Sequence, residues 1–138
     1  MAANVLIIDD YADNRELLRV MLEQAGYLVC EAGDGREGVE MARNASPDIA
    51  LIDLSMPGLD GWKVLTELRA DERTQSISCA AVSAFADGAR ARALDYGFDA
   101  YLTKPFRRIE LLETVESLLA KQQAKKQETE GQLREELS

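Results

Sequence analysis

Two uninterrupted apolar runs, Val5-Leu6-Ile7-Ile8 and Ile49-Ala50-Leu51-Ile52, are too short for a buried helix and show no alternation with polar residues. Runs of this kind are strands buried on both faces, as in a parallel sheet covered by helices. Tyr27 to Cys30, Ser78 to Val82 and Ala100 to Leu102 repeat the theme in weaker form. Helix-periodic sequence fills the intervals. Leu17, Leu18, Met21, Leu22 and Ala25 share one helical face before Gly26, and Val39 with Ala42 marks a second helix ending ahead of Ser46-Pro47. Val64, Leu65 and Leu68 mark a third helix, and a short fourth runs through Leu94 to stop at Gly97. A fifth, Ile109 to Leu119, turns Leu111, Leu112, Val115, Leu118 and Leu119 inward. Asp13 with Glu16 and Asp34 with Glu37 have capping-box spacing, and Asp87 is placed to cap the fourth helix. Five strands alternating with five helices predict a doubly wound α/β domain.

Polar residues stand where the apolar runs stop. Asp9-Asp10 follows the first strand, Asp53 the third, Ser83 the fourth and Lys104-Pro105 the fifth. In a parallel sheet those ends gather along one edge, where open α/β folds bind ligands. Carboxylates about 5 Å apart repel by roughly 3 kcal/mol at an effective dielectric of about 20, so three of them call for a cation. Magnesium takes one or two carboxylates and keeps room for water and phosphate oxygens. Asp10 and Asp53 are the expected direct ligands, with Asp9 acting through water. Lys104 supplies a mobile point charge, and the Ser83 hydroxyl can donate to an arriving oxygen. Asp53, at the end of a central strand, is the natural acceptor in phosphoryl transfer. Taken singly, an Asp-Asp pair is an ordinary helix cap and Pro105 an ordinary turn. Their register with separate strands carries the reading.

Composition narrows the class. The 138 residues fit one domain, and no apolar run approaches the roughly 18 residues that span a bilayer. The start, Met1-Ala2-Ala3-Asn4, enters a strand without a basic region, so no signal peptide and a cytoplasmic location are expected. A net charge of −9 argues against a nucleic-acid surface, which needs clustered Lys and Arg. The same charge serves solubility, partner choice or both. Cys30 and Cys79 sit in strand-like stretches outside any C-x-x-C pair, and histidine is absent, so zinc sites and histidine catalysis are not expected. From Lys121 the composition turns polar, with four basic and four acidic side chains and Gly131 expected to interrupt any helix. Residues 1–121 therefore read as the domain. Residues 122–138 read as a charged tail, either a helical extension or disordered, with a docking segment as the alternative.

These motifs resemble the receiver domain of two-component response regulators, over about residues 3 to 121. The resemblance rests on Asp9-Asp10, on Asp53 followed by Met56-Pro57 and Asp60-Gly61, on Ser83-Ala84, and on Lys104-Pro105-Phe106. Spacing agrees as well: Asp53 lies 43 positions after Asp10, Ser83 30 positions after Asp53, and Lys104 21 positions after Ser83. The resemblance implies a flavodoxin-like strand order 2-1-3-4-5. It implies that Asp53 accepts a phosphoryl group from a sensor histidine kinase or a histidine phosphotransfer protein. Mg2+ would be held by Asp10, Asp53 and the backbone carbonyl of Ser55, and Lys104 would pair with phosphoryl oxygens. Ser83 and Tyr101 would be the switch pair, changing the face of the fourth helix, fifth strand and fifth helix that meets a downstream protein, or the domain would relay the phosphate to another protein. Neither nucleic acid nor membrane is implied as a partner. Phe85 would slow attack by water on the phosphorylated form, and Trp62 would pack near the loop after Asp53.

Other classes fit less well. A flavodoxin cradles phosphate in a loop rich in hydroxyls and glycine, whereas Asp9-Asp10-Tyr11-Ala12-Asp13 would repel it. An aspartyl-nucleophile phosphatase carries a second acid two residues after its nucleophile, where Ser55 stands here. A receiver-like module that binds partners without phosphorylation typically lacks an acid or the lysine, and this chain keeps them all. The front part of a longer regulator is the further alternative.

Overall fold

The computed structural model describes the backbone of residues 2–84 and 86–137, and side chains through Ala124. Among these residues the elements run β1 (Asn4–Ile8), α1 (Ala12–Gln24), β2 (Leu28–Ala32), α2 (Gly35–Ala45), β3 (Ile49–Asp53), α3 (Gly61–Arg69), β4 (Ser78–Ala84), α4 (Ala89–Tyr96), β5 (Ala100–Lys104) and α5 (Arg108–Leu137). All strand pairs are parallel, in the order β2-β1-β3-β4-β5. This is the doubly wound, flavodoxin-like arrangement expected from the sequence.

Strand side chains alternate between two cores, because successive Cβ atoms leave opposite faces of a sheet. Leu6, Ile8, Ala50, Ile52, Cys79 and Ala81 meet Val39, Val64, Leu65, Leu68 and Ala93 of α2, α3 and α4. Val5, Ile7, Ile49, Leu51, Ala80 and Val82 meet Leu18 and Leu22 of α1 and Leu111, Val115 and Leu118 of α5. Each fully buried Leu or Ile stabilises the fold by about 1.5–3 kcal/mol relative to exposure. Burial also pushes the Cys79 thiol up to about 12, so it stays protonated.

Several local expectations are corrected. Helix α1 begins at Ala12 with Tyr11 as its cap residue, and no side-chain cap comes from Asp13. Asp9 instead takes the Tyr11 N–H at 2.9 Å, a local turn that starts the helix two residues earlier. Helix α4 is preceded by Gly88 at φ +74°, and Asp87 caps nothing. The Asp34 cap holds, with the Glu37 N–H at 2.7 Å. Strand β4 runs through Ser83 to Ala84 and β5 through Lys104, two residues further than their apolar cores. Pairing of Ser83 with Thr103 and Ala84 with Lys104 carries the ladder past the hydrophobic stretch. Helix α5 does not stop at Leu119; it continues through Gly131 to Leu137. One glycine costs a helix about 1 kcal/mol relative to alanine, too little to end it alone. Gln122 on this extension donates to the Asp48 carbonyl at 2.6 Å, tying α5 to the loop before β3. Phe85, expected to shield the site, lies outside the described residues.

Trp62, the second residue of α3, packs edge-on against Tyr96 of α4 at 5.1 Å between centroids and against Phe98 at 5.7 Å. The Tyr96 hydroxyl meets Thr66 Oγ1 at 2.6 Å. Only Ala89 and Ala93 are buried along α4, so these aromatic contacts form much of its attachment to α3.

Gly61 permits the close approach of α3 to the end of β3. A Cβ there would lie 2.3 Å from the Asp53 carbonyl oxygen and 2.8 Å from Leu54 Cα, both backbone atoms that cannot swing away. Gly58, at φ +74°, has open space around it. Gly61→Ala should therefore destabilise the fold by about 3 kcal/mol through overpacking. Gly58→Ala should cost about 1–2 kcal/mol from its left-handed backbone alone. Urea denaturation of both variants measures the difference.

Candidate functional site

The strand ends converge as the sequence anticipates. Asp9 and Asp53 are buried, at 2% and 7% exposure, while Asp10 between β1 and α1 is open to solvent. One carboxylate oxygen from each of Asp9, Asp10 and Asp53 lies within 4.8 Å of the others. Lys104, at the end of β5, places its Nζ 3.2 Å from Asp9 Oδ2 and 3.7 Å from Asp53 Oδ2. The other oxygen of each buried acid is taken by backbone. Asp9 Oδ1 accepts the Tyr11 N–H at 2.9 Å, and Asp53 Oδ1 accepts the Ser55 N–H at 3.0 Å. Both Oδ2 atoms thus share one ammonium.

Three carboxylates against one ammonium leave an excess of two negative charges, the charge of one divalent cation. Hard oxygen donors in this number suit Mg2+ chemically. Burial pushes the Asp53 carboxyl up from the ordinary aspartate range, and the Asp9 and Asp10 carboxylates push it further. The Ser55 N–H and Lys104 oppose them.

The remaining expected residues flank this group. Ser83 is half-buried on β4, one position beyond the Val82 that pairs with Asp53. Ser55 lies exposed in the loop after β3, with its N–H on Asp53. Tyr101 is buried and its hydroxyl donates to the Ala84 carbonyl at 3.3 Å, so the ring is already turned inward.

Arg15 was not anticipated. Its Nη1 donates to the Asp9 carbonyl at 2.8 Å, and its Nε lies 3.5 Å from Glu31 at the end of β2. One signal was present in the sequence. A cation near the start of a helix opposes the macrodipole, so Arg15 needed another reason to be there.

The family described as the response regulator receiver domain matches residues 5–116. This chain belongs to that family. It is 40% identical over 116 residues to the DNA-binding dual master transcriptional regulator RpaA of Synechocystis, covering 83% of this chain and 48% of that one. It is 34% identical over 120 residues to the polar-differentiation response regulator DivK of Brucella ovis, covering 86% and 98%. The chain thus spans about half the length of RpaA and nearly all of DivK. It also superposes, at TM-score 0.80 and 30% identity, on the receiver domain of a sensor histidine kinase from Pseudomonas aeruginosa, covering 87% and 99%. That receiver domain carries a magnesium ion coordinated in its active site cleft.

The chain accordingly contains a two-component response regulator receiver domain. Receiver domains bind Mg2+ at an acidic pocket, and the Asp9, Asp10 and Asp53 group has that chemistry. They interact with histidine kinases or phosphotransfer proteins and with downstream targets. No helix among the described residues is long and apolar enough to cross a membrane.

The raised Asp53 pKa has a consequence for stability. Between the ordinary aspartate value and the raised one, folded protein holds a proton that unfolded protein has released. Stability therefore falls as pH rises through that window. Without divalent cation, Asp53→Asn should raise the melting temperature at pH 7 by a few degrees and flatten that part of the pH profile. Thermal unfolding from pH 3 to 8 in a chelating buffer measures it.

Proposed function

We propose that Asp53 of this receiver domain accepts a phosphoryl group from a phosphohistidine in a Mg2+-dependent reaction. The observation that carries the proposal is the convergence of Asp9, Asp10 and Asp53 on one another beside the Lys104 ammonium. Asp10, Asp53 and the Ser55 carbonyl would hold Mg2+, with Asp9 acting through water. The bound cation supplies charge neutralisation at the transferring phosphoryl oxygens.

One Asp53 carboxylate oxygen attacks the phosphorus, an O–P bond forms and the P–N bond breaks. The imidazole leaves with the bonding pair. Lys104, now shared between Asp9 and Asp53, moves its charge onto the phosphoryl oxygens. Ser83, on the strand beside Asp53, donates its hydroxyl to one of them. The chain thereby assists its own phosphorylation, and hydrolysis by water reverses it.

Phosphorylation adds about −2 charge at Asp53, which favours the arrangement that brings the Ser83 hydroxyl and Lys104 ammonium closest. Tyr101, on β5 with its hydroxyl on the Ala84 carbonyl of β4, follows the same shift. The output face is α4, β5 and α5. Leu94 of α4 and Ile109 of α5 carry exposed apolar side chains, at 39% and 56%. Residues 1–121 carry this activity in the cytoplasm, and residues 122–137 extend α5 as a charged segment.

Incubation with Mg2+ and a small phosphodonor should give a single phosphoryl adduct by intact mass. Asp53→Asn, or chelation of the metal, should abolish it. Lys104→Ala should still accept phosphate yet lose most of any phosphorylation-dependent gain in partner binding, read by pull-down. An adduct that survives Asp53→Asn overturns the proposal.

A further inference from the structure

Arg15 belongs to none of the motifs above, yet it touches the main chain of the acidic group. Its guanidinium spans two elements, donating from Nη1 to the Asp9 carbonyl at 2.8 Å and resting its Nε 3.5 Å from Glu31 Oε1. Glu31 receives Arg19 Nη1 at 2.6 Å, and Arg19 Nε reaches Glu23 at 3.7 Å. A Cβ at Gly33 would sit 3.4 Å from Arg15 Nη1, an ordinary contact, so the guanidinium lies beside this glycine. The Arg15 side chain is only 22% exposed, which limits its freedom to leave.

These contacts immobilise Asp9 from three sides. Its N–H donates to the Ala32 carbonyl at 3.2 Å, its Oδ1 accepts from Tyr11, and its carbonyl is held by Arg15. The Asp9 carbonyl lies in the same rigid peptide plane as the Asp10 nitrogen. That plane also contains the Asp10 Cα, so fixing it sets the point from which the exposed Asp10 side chain leaves the backbone.

We propose that Arg15 is a positioning residue for the divalent-cation site, setting the placement of the Asp10 carboxylate relative to Asp9 through the peptide plane between them. The inference rests on the reading of the acidic group as a Mg2+ site. Its sign separates it from simple electrostatics. Removing a guanidinium beside three carboxylates would, by charge alone, let a divalent cation bind more tightly. Loss of positioning does the opposite. It also discriminates between ions, because Mg2+ demands near-ideal octahedral geometry and Ca2+ tolerates irregular coordination.

The test is calorimetric titration of MgCl2 and of CaCl2 into the full chain at constant ionic strength, with thermal unfolding of each variant alongside. Arg15→Met should raise the Mg2+ Kd about tenfold, the usual effect of losing an outer partner of a metal ligand. The Ca2+ Kd should change by less than roughly threefold. Arg15→Lys keeps the charge but cannot bridge the Asp9 carbonyl and Glu31 together. It should weaken Mg2+ by about threefold, and it stands in if the Met variant does not fold. Unchanged or tighter Mg2+ binding in either variant overturns the assignment, as does an equal loss for both ions. Absence of Mg2+ binding by the unaltered chain would instead overturn the reading of the site itself, and this inference with it.

Discussion

Like charges forced together are the constraint around which this fold is arranged. Asp9 and Asp53 end adjacent central strands, so the sheet's own hydrogen bonding fixes how near they lie. Their repulsion is relieved by directed partners rather than by distance. Backbone N–H groups of Tyr11 and Ser55 take one oxygen of each acid, and Lys104 reaches across from the edge strand to the other. The remaining excess charge is divalent in size. A site in this condition is prepared for a metal and a phosphoryl group, while burial, together with the neighbouring carboxylates, holds Asp53 above its ordinary proton affinity.

The apolar framework explains why the acids can be held so firmly. Ile8 precedes Asp9 and Ile52 precedes Asp53, and both isoleucines are fully buried. Two layers of helices grip these strands from opposite faces, so displacing either carboxylate means displacing packed core. Gly61 extends the argument to the loop after β3. Its missing side chain lets α3 start against the main chain of Asp53, which leaves the loop little room to drift.

Much of this was legible before any coordinates. The continuous apolar runs named the central strands, and the residues ending them named the acids and the lysine. What escaped had definite physical causes. The Asp13 and Asp87 caps failed because local alternatives, the Asp9 carboxylate and the left-handed Gly88, already set those helix starts. Strands β4 and β5 outran their hydrophobic stretches because ladder pairing, not burial, carries their last residues. Helix α5 ran past Leu119, where its apolar stripe stops, and the single glycine at 131 is too weak a stop signal to end it before Leu137. Arg15 was invisible to motif reading because it acts on a carbonyl, and main-chain acceptors have no letter in a sequence.

The aromatic group of Trp62, Tyr96 and Phe98 bears on how α4 can respond to events at the strand ends. Trp62 follows directly on the glycine that abuts Asp53, and its indole edge meets rings belonging to α4 and the turn after it. It is the chain's single tryptophan. Any tilt or retreat of α4 must therefore strip neighbours from that indole and wet one side of it. The molecule carries its own optical gauge of that helix, read in emission colour without a label.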